Sequence, residues 1–225
     1  MNPGNNLINN IKVLVFDWDG TLADSTAMIV DAMNQSILNL GLDEIECSRI
    51  KDVIGLGLDE AIHCLFPEMN SNERSTVADH YREHYLTNSA DGRISLFPYA
   101  REILSRLNEA GYLLAVATGK SRRGLDRSLK ETATETFFQT SRCADECFSK
   151  PHPQMLQEIM DHFAVKPEDT LMIGDSEYDM QMADSAGTSS IAAGYGVHDA
   201  NRLLKYKPVA CINSLNELEK IFIYQ

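Results

Sequence analysis

The sequence predicts an α/β fold, a doubly wound, Rossmann-like parallel sheet whose core is interrupted early by an inserted all-helical cap-sized segment. Two observations predict it. Short continuous apolar runs alternate with stretches whose apolar residues recur every three or four positions, the pattern of buried parallel strands joined by crossover helices. Between the first apolar run and the next, residues 23–96 carry only the helical period, far more chain than one crossover helix needs.

The first strand is residues 11–16 (IKVLVF), apolar on both faces and ended by Asp17. The insert follows, with helical periodicity over 26–40, closed by Gly41, then over 48–54, 58–65 and 71–86. A helix over 98–110, with Gly111 at its C-terminal cap, leads into strand 112–117 (YLLAVA), and a helix over 121–131 comes next. A helix over 153–164 precedes strand 170–173 (TLMI), and a helix over 176–186 with Gly187 at its end precedes strand 189–193 (SSIAA). Residues 209–212 (VACI) are a weaker fifth strand. The chain thus divides into a core domain of residues 1–22 and 97–225 and a helical domain of residues 23–96, with hinges at 22–25 and 96–98.

Of the 225 residues, 33 are acidic and 20 basic, a net charge of −13 that argues against nucleic acid and anionic membranes, which need a basic face. The same charge counts at first sight against anionic substrates, unless the position of the carboxylates outweighs their sum. The five cysteines (Cys47, Cys64, Cys143, Cys147 and Cys211) form no disulfide-framework pattern and suit a reducing compartment. Residues 1–10 lack the apolar core of a signal peptide, and no run approaches the roughly 18 apolar residues of a membrane span. A cytoplasmic protein is expected.

The chemistry-bearing residues sit where strands end. After the first strand comes Asp17-Trp18-Asp19-Gly20-Thr21; the period of two along extended backbone puts both carboxylates on one side and Trp18 on the other. Gly20 permits a sharp exit, and the Thr21 hydroxyl can fix the turn on a nearby backbone N–H. The strand at 112–117 runs into Thr118-Gly119-Lys120, and that at 170–173 into Gly174-Asp175, with Asp179 following. In a parallel sheet these converge on one edge, beyond the C-terminal ends of the strands, where such folds bind ligands. A cluster of carboxylates repels itself unless a cation neutralises it, and hard oxygen donors suit Mg²⁺.

In this order, Asp17-Trp18-Asp19-Gly20-Thr21, Thr118, Lys150-Pro151 and Gly174-Asp175 with Asp179 resemble the four-motif signature of the haloacid dehalogenase superfamily. The likeness covers essentially the whole chain, and the insert lies where the C1 class of that superfamily carries its helical cap. The resemblance implies that Asp17 is the nucleophile that forms an aspartyl-phosphate, and that Asp19 is the acid and base. It further implies that Thr118, the Gly119 N–H and Lys150 hold the phosphoryl group, and that Asp17, Asp175 and the Asp19 carbonyl bind Mg²⁺, with Asp179 supporting Asp175 or Lys150. The presence of Asp19 favours phosphate esters, since the carbon-attacking dehalogenases lack this aspartate and phosphonatases replace it and use a cap lysine; Lys51 is only a solvated side chain in that light. Residues 16–25 (FDWDGTLADS), 53–58 (VIGLGL), 149–153 (SKPHP) and 173–179 (IGDSEYD) are most similar to phosphoglycolate-phosphatase-like proteins. The implied activity is Mg²⁺-dependent hydrolysis of a small phosphorylated metabolite. The alternatives are a mutase resembling β-phosphoglucomutase and a receiver-type phosphoacceptor switch, although receivers carry the acceptor on a later strand and have no such insert.

Other patterns have plainer readings. Gly55 and Gly57 can reach the leaving group from the cap, but a simple turn between two helices is the expected role. His80, Glu83 and His84 fit H-x-x-E-H, yet lie on the insert with no third acidic ligand apparent. Gly119-Lys120-Ser121 resembles the end of a P-loop, but Leu114 stands where its first glycine belongs. Cys143, Cys147 and His152 lack a second ligand pair for a metal knuckle.

Overall fold

The computed structural model describes residues 10–91 and 94–224. In chain order the elements are β1 (Val13–Phe16), α1 (Thr26–Asn39), α2 (Cys47–Asp52), α3 (Leu58–Leu65), α4 (Ser71–Asp91), α5 (Ala100–Glu109), β2 (Leu113–Thr118), α6 (Arg122–Thr132) and β3 (Thr140–Cys143). After them come α7 (Gln154–Phe163), β4 (Thr170–Gly174), α8 (Glu177–Ala186), β5 (Ser189–Ala193), α9 (Ala200–Leu204), β6 (Ala210–Ile212) and α10 (Glu217–Phe222). The strands form one six-stranded sheet in the order β3-β2-β1-β4-β5-β6, and every pairing is parallel. This is the Rossmann-like, doubly wound arrangement, with the strand order reversing beside β1.

The apolar runs are continuous because both faces of the sheet are covered. Leu14, Phe16, Leu114, Val116, Leu171 and Ile173 pack to one side with α5, α6 and α10 residues such as Leu104, Leu125 and Leu218. Their strand neighbours Val13, Val15, Ala115, Ala117 and Met172 pack to the other with Leu156, Ile159 and Met182. A strand absent from the sequence reading, β3, pairs with β2 at the sheet edge. Its sequence, TSRC, is only partly buried, so it lacks the apolar signature of the central strands. The weak strand at 209–212 is present as β6.

Helices α1–α4 bury an apolar cluster of their own, including Met33, Ile37, Ile50, Ile62 and Val77. Two chain segments join them to the sheet, and these run antiparallel through a bridge between Ala23 and Leu96. The Phe97 N–H donates to the Leu22 carbonyl at 2.9 Å, and the Asp24 N–H to the Ser95 carbonyl at 2.9 Å. No helix among the described residues is long and apolar enough to cross a membrane.

Candidate active site

The end of β1 is fixed by its neighbour on the sheet: the Asp17 N–H donates to the Ile173 carbonyl of β4 at 2.9 Å. The chain turns sharply after Asp19, with Gly20 at φ +83°, and a Cβ at that position would stand 2.1 Å from Asp175 Oδ2. Trp18 points away and is buried, edge-on to Phe138 at 6.4 Å. The Thr21 hydroxyl does not bond a nearby N–H as the sequence suggests; it donates to Asp175 Oδ1 at 2.7 Å. Adjacency of β1 and β4 makes that partner available, and local sequence cannot reveal it.

Asp17, Asp175 and Asp179 are all buried, and their carboxylate oxygens come within 4.8 Å of one another. Lys150 is buried among them, its Nζ 2.7 Å from Asp17 Oδ1 and 2.6 Å from Asp179 Oδ1. Burial works to lower the lysine's pKa, but the two carboxylates together hold it above the ordinary value, so the ammonium keeps its charge. Asp179 is pinned twice: its Oδ2 accepts from the Ser176 N–H and hydroxyl in the capping box that starts α8, and its Oδ1 accepts from Lys150. Asp175 accepts from Thr21 and from the Val197 N–H at 2.7 Å.

Three buried carboxylates therefore share one buried ammonium. Burial, only partly opposed by Lys150, raises the Asp17 carboxyl well above the usual range, with Asp179 and Asp175 adding to it. Burial and then Asp179 push Asp175 up to about 7. Asp17 Oδ1 meets the Lys150 ammonium at 2.7 Å and, among the described residues, accepts from no hydroxyl or backbone N–H. An all-oxygen cluster of three buried carboxylates set against one ammonium fits a hard divalent cation such as Mg²⁺.

Asp19 is not part of this cluster, although it lines the same cavity as Asp17. Its Oδ1 accepts from the Ser25 hydroxyl at 2.5 Å and lies 3.0 Å from Lys120 Nζ. Lys120 also donates to Tyr85 OH on α4 at 2.9 Å, so the insert reaches the candidate acid and base through one lysine. In the sequence Lys120 stands out only within the P-loop likeness; its place two residues beyond Thr118 on the same loop is the signal that points to it. Thr118 ends β2 and its Oγ1 accepts from the Lys120 N–H at 3.2 Å. Ser121, the supposed P-loop terminus, caps α6 instead.

The glycine loop of the insert does more than turn between α2 and α3. The Gly57 N–H donates to Ser149 Oγ at 2.7 Å, beside Lys150. The Leu56 carbonyl approaches Gly119 so closely that a Cβ there would stand 2.3 Å from it. Residues 55–57 are thus seated on the loops after β2 and before α7, where tertiary packing rather than chain-local geometry puts them. Between insert and sheet lies a cavity of about 450 Å³ that Asp17, Asp19, Thr118, Gly119 and Lys120 line from below.

The other motifs contribute nothing to this cluster. His84 meets Asn39 at 2.7 Å on the insert, and among the described residues the one group of three or more metal-capable side chains is Asp17, Asp175 and Asp179. Burial pushes the thiols of Cys143 and Cys147 up to about 12 and about 11, which keeps them protonated.

A family sequence model described as haloacid dehalogenase-like hydrolase matches residues 14–193. The phosphoglycolate phosphatase of Vibrio parahaemolyticus is 27% identical, over 94% of this chain and 96% of that protein. Pyrophosphatase PpaX of Bacillus mycoides is 25% identical, over 92% of this chain and 95% of its own length. The solved structure of a haloacid dehalogenase-like family hydrolase from Streptococcus pneumoniae superposes with a TM-score of 0.83 at 24% identity, covering 95% of this chain and 99% of that one.

Proposed function

Because this chain belongs to the haloacid dehalogenase-like hydrolases, we propose that it is a Mg²⁺-dependent phosphomonoesterase acting on a small phosphorylated metabolite through an aspartyl-phosphate at Asp17. The observation that carries the reading is the convergence of Asp17, Lys150, Asp175 and Asp179 at the floor of a cavity that Asp19 also lines.

In this reading an Asp17 oxygen attacks phosphorus in line, the ester P–O bond breaks, and Asp19 protonates the departing alkoxide. Asp19 then takes a proton from the water that attacks the acyl phosphate, releasing inorganic phosphate and regenerating Asp17. Lys150 holds charge against the transferring phosphoryl group, while Thr118 and the Gly119 N–H donate to its oxygens. Asp17, the Asp19 carbonyl and Asp175 would hold Mg²⁺, with Asp179 fixing Lys150 from behind. When bound, the cation would supply positive charge to the phosphoryl oxygens and relieve the repulsion among the carboxylates. This local charge answers the objection that a chain of net charge −13 should avoid anionic substrates.

Residues 23–96 serve in this proposal as the cap, and residues 1–22 and 97–225 as the core. The antiparallel segments around Ala23 and Leu96 are its hinge. The named relatives differ in what they release phosphate from, so their names support phosphate release without fixing the leaving group. All five cysteines are free, in keeping with the cytoplasm proposed as its compartment.

Purified Asp17→Asn protein, assayed with p-nitrophenyl phosphate and Mg²⁺, is expected to show no turnover. Acid-quenched wild-type protein should carry phosphate that hydroxylamine releases, as acyl phosphates require. Wild-type rates from Asp17→Asn would overturn the assignment.

A further inference from the structure

The roof of the cavity carries chemistry that its floor does not require. Met33, Ile50, Val53 and Leu56 line it from the insert, together with Tyr81 and Tyr85 of α4. The two tyrosine rings stack with centroids 5.8 Å apart and planes inclined by 30°, and Lys120 Nζ lies 4.6 Å from the centroid of Tyr85, so the wall carries an aromatic patch with one ammonium against it. That patch stands beside the candidate acid and base, since Tyr85 OH accepts from the same Lys120 Nζ that pairs with Asp19. An ester oxygen leaving toward Asp19 would carry the rest of its alcohol along these rings.

Three of the four cations that line the cavity are paired with carboxylates of the protein. Lys120 pairs with Asp19, Arg127 with Glu131 at 2.5 Å, and Arg82 with Asp79 at 2.8 Å; the remaining lining cation, Arg123, is exposed. A carboxylate carried into the apolar part would lose water and meet no buried cation that is not already paired, since Lys120 is held by Asp19. One polar handle is present: Ser128 lines the cavity, and its buried hydroxyl has no hydrogen-bond partner among the described residues. A two-carbon acid would leave most of about 450 Å³ unfilled, a volume within the roughly 300–1,000 Å³ of pockets that bury drug-sized ligands.

Building on the phosphatase reading, we propose that the substrate is a phosphomonoester whose leaving group is bulky and largely apolar, of aromatic-ring size, with a hydroxyl or carbonyl able to meet Ser128. The leaving group lies between α1, α4 and residues 54–57, and its ring packs on Tyr81 and Tyr85.

The test compares 2-phenylethyl phosphate, ethyl phosphate and 2-phosphoglycolate, the first two leaving as alkoxides of similar basicity, so that turnover differences report the pocket rather than leaving-group reactivity. Affinity is read by calorimetry on Asp17→Asn protein with Mg²⁺ present, and kcat/KM on wild type. The phenylethyl ester should exceed the ethyl ester and 2-phosphoglycolate by at least about 10-fold in both, and Tyr81→Ala should collapse that ratio through KM. Turnover of all three esters without that preference overturns this assignment and leaves the phosphatase reading standing. Absence of turnover of any ester, p-nitrophenyl phosphate included, overturns the phosphatase reading and this one with it. Should Tyr81→Ala not fold, the wild-type ratios alone decide.

Discussion

The floor and the roof of one cavity are built on opposite principles. The floor is charged, buried and over-determined: Asp179 accepts from three donors, Asp175 from Thr21 and Val197, and Lys150 lies between two carboxylates. The roof is apolar, formed by side chains of α1–α4 whose first task is packing their own cluster. On the floor, the position of each atom determines whether phosphoryl transfer occurs at all. On the roof, only volume and hydrophobicity are held, and many side chains satisfy both. The reaction class is therefore set by a few point residues, while the choice of alcohol is spread over a surface.

If that contrast holds, substitutions on the floor should cost most. Lys150→Met leaves Asp17 and Asp179 buried without their counter-charge. Breaking such a pair costs about 3–5 kcal/mol, which urea denaturation would register together with near-complete loss of turnover; a loss below about 1 kcal/mol would mean that the floor is not over-determined.

Asp19→Asn should leave folding largely intact and lower kcat by roughly 10²–10⁴-fold, the usual worth of a general acid and base. The loss in the first step should be smaller for p-nitrophenyl phosphate, whose phenolate leaves without a proton, than for ethyl phosphate. Equal losses would remove the acid role while sparing the base role.

The smallest effect is expected where insert and core meet through exposed charge. Asp52 pairs with Arg202 at 2.6 Å, and the Asp52 carbonyl accepts from Tyr178 OH at 2.8 Å. The Asp52 side chain is 55% exposed, and pairs of this kind contribute about 0–1 kcal/mol. Asp52→Asn should change stability by no more than that and leave kcat within a few-fold; a large fall in kcat would show that closing the roof is part of the chemical step.

Legibility in the sequence follows the same divide. β1, β2, β4 and β5 announce themselves because buried parallel strands must be apolar on both faces. β3 does not, because an edge strand can be TSRC and still complete its ladder. Asp17, Asp19, Thr118, Gly119, Asp175 and Asp179 stand out as candidates because they follow strand ends, and Lys150 only through the family resemblance. Lys120 does not stand out in the same way, since its partner Asp19 lies 101 residues away in sequence. The seat of Gly57 on Ser149, 92 residues apart, was hidden for the same reason.

By itself the sequence determined the alternation of strands and helices, the length of the helical insert and the order of the chemistry-bearing residues, because periodicity and turn preferences act over neighbouring positions. Tertiary structure alone decided which of those residues share a charge. Thr21 bonds Asp175 across 154 positions, and Lys150 joins Asp17 to Asp179, only because parallel pairing lays the ends of β1 and β4 side by side. The energy of those contacts depends on distance and burial, and both are properties of the folded chain.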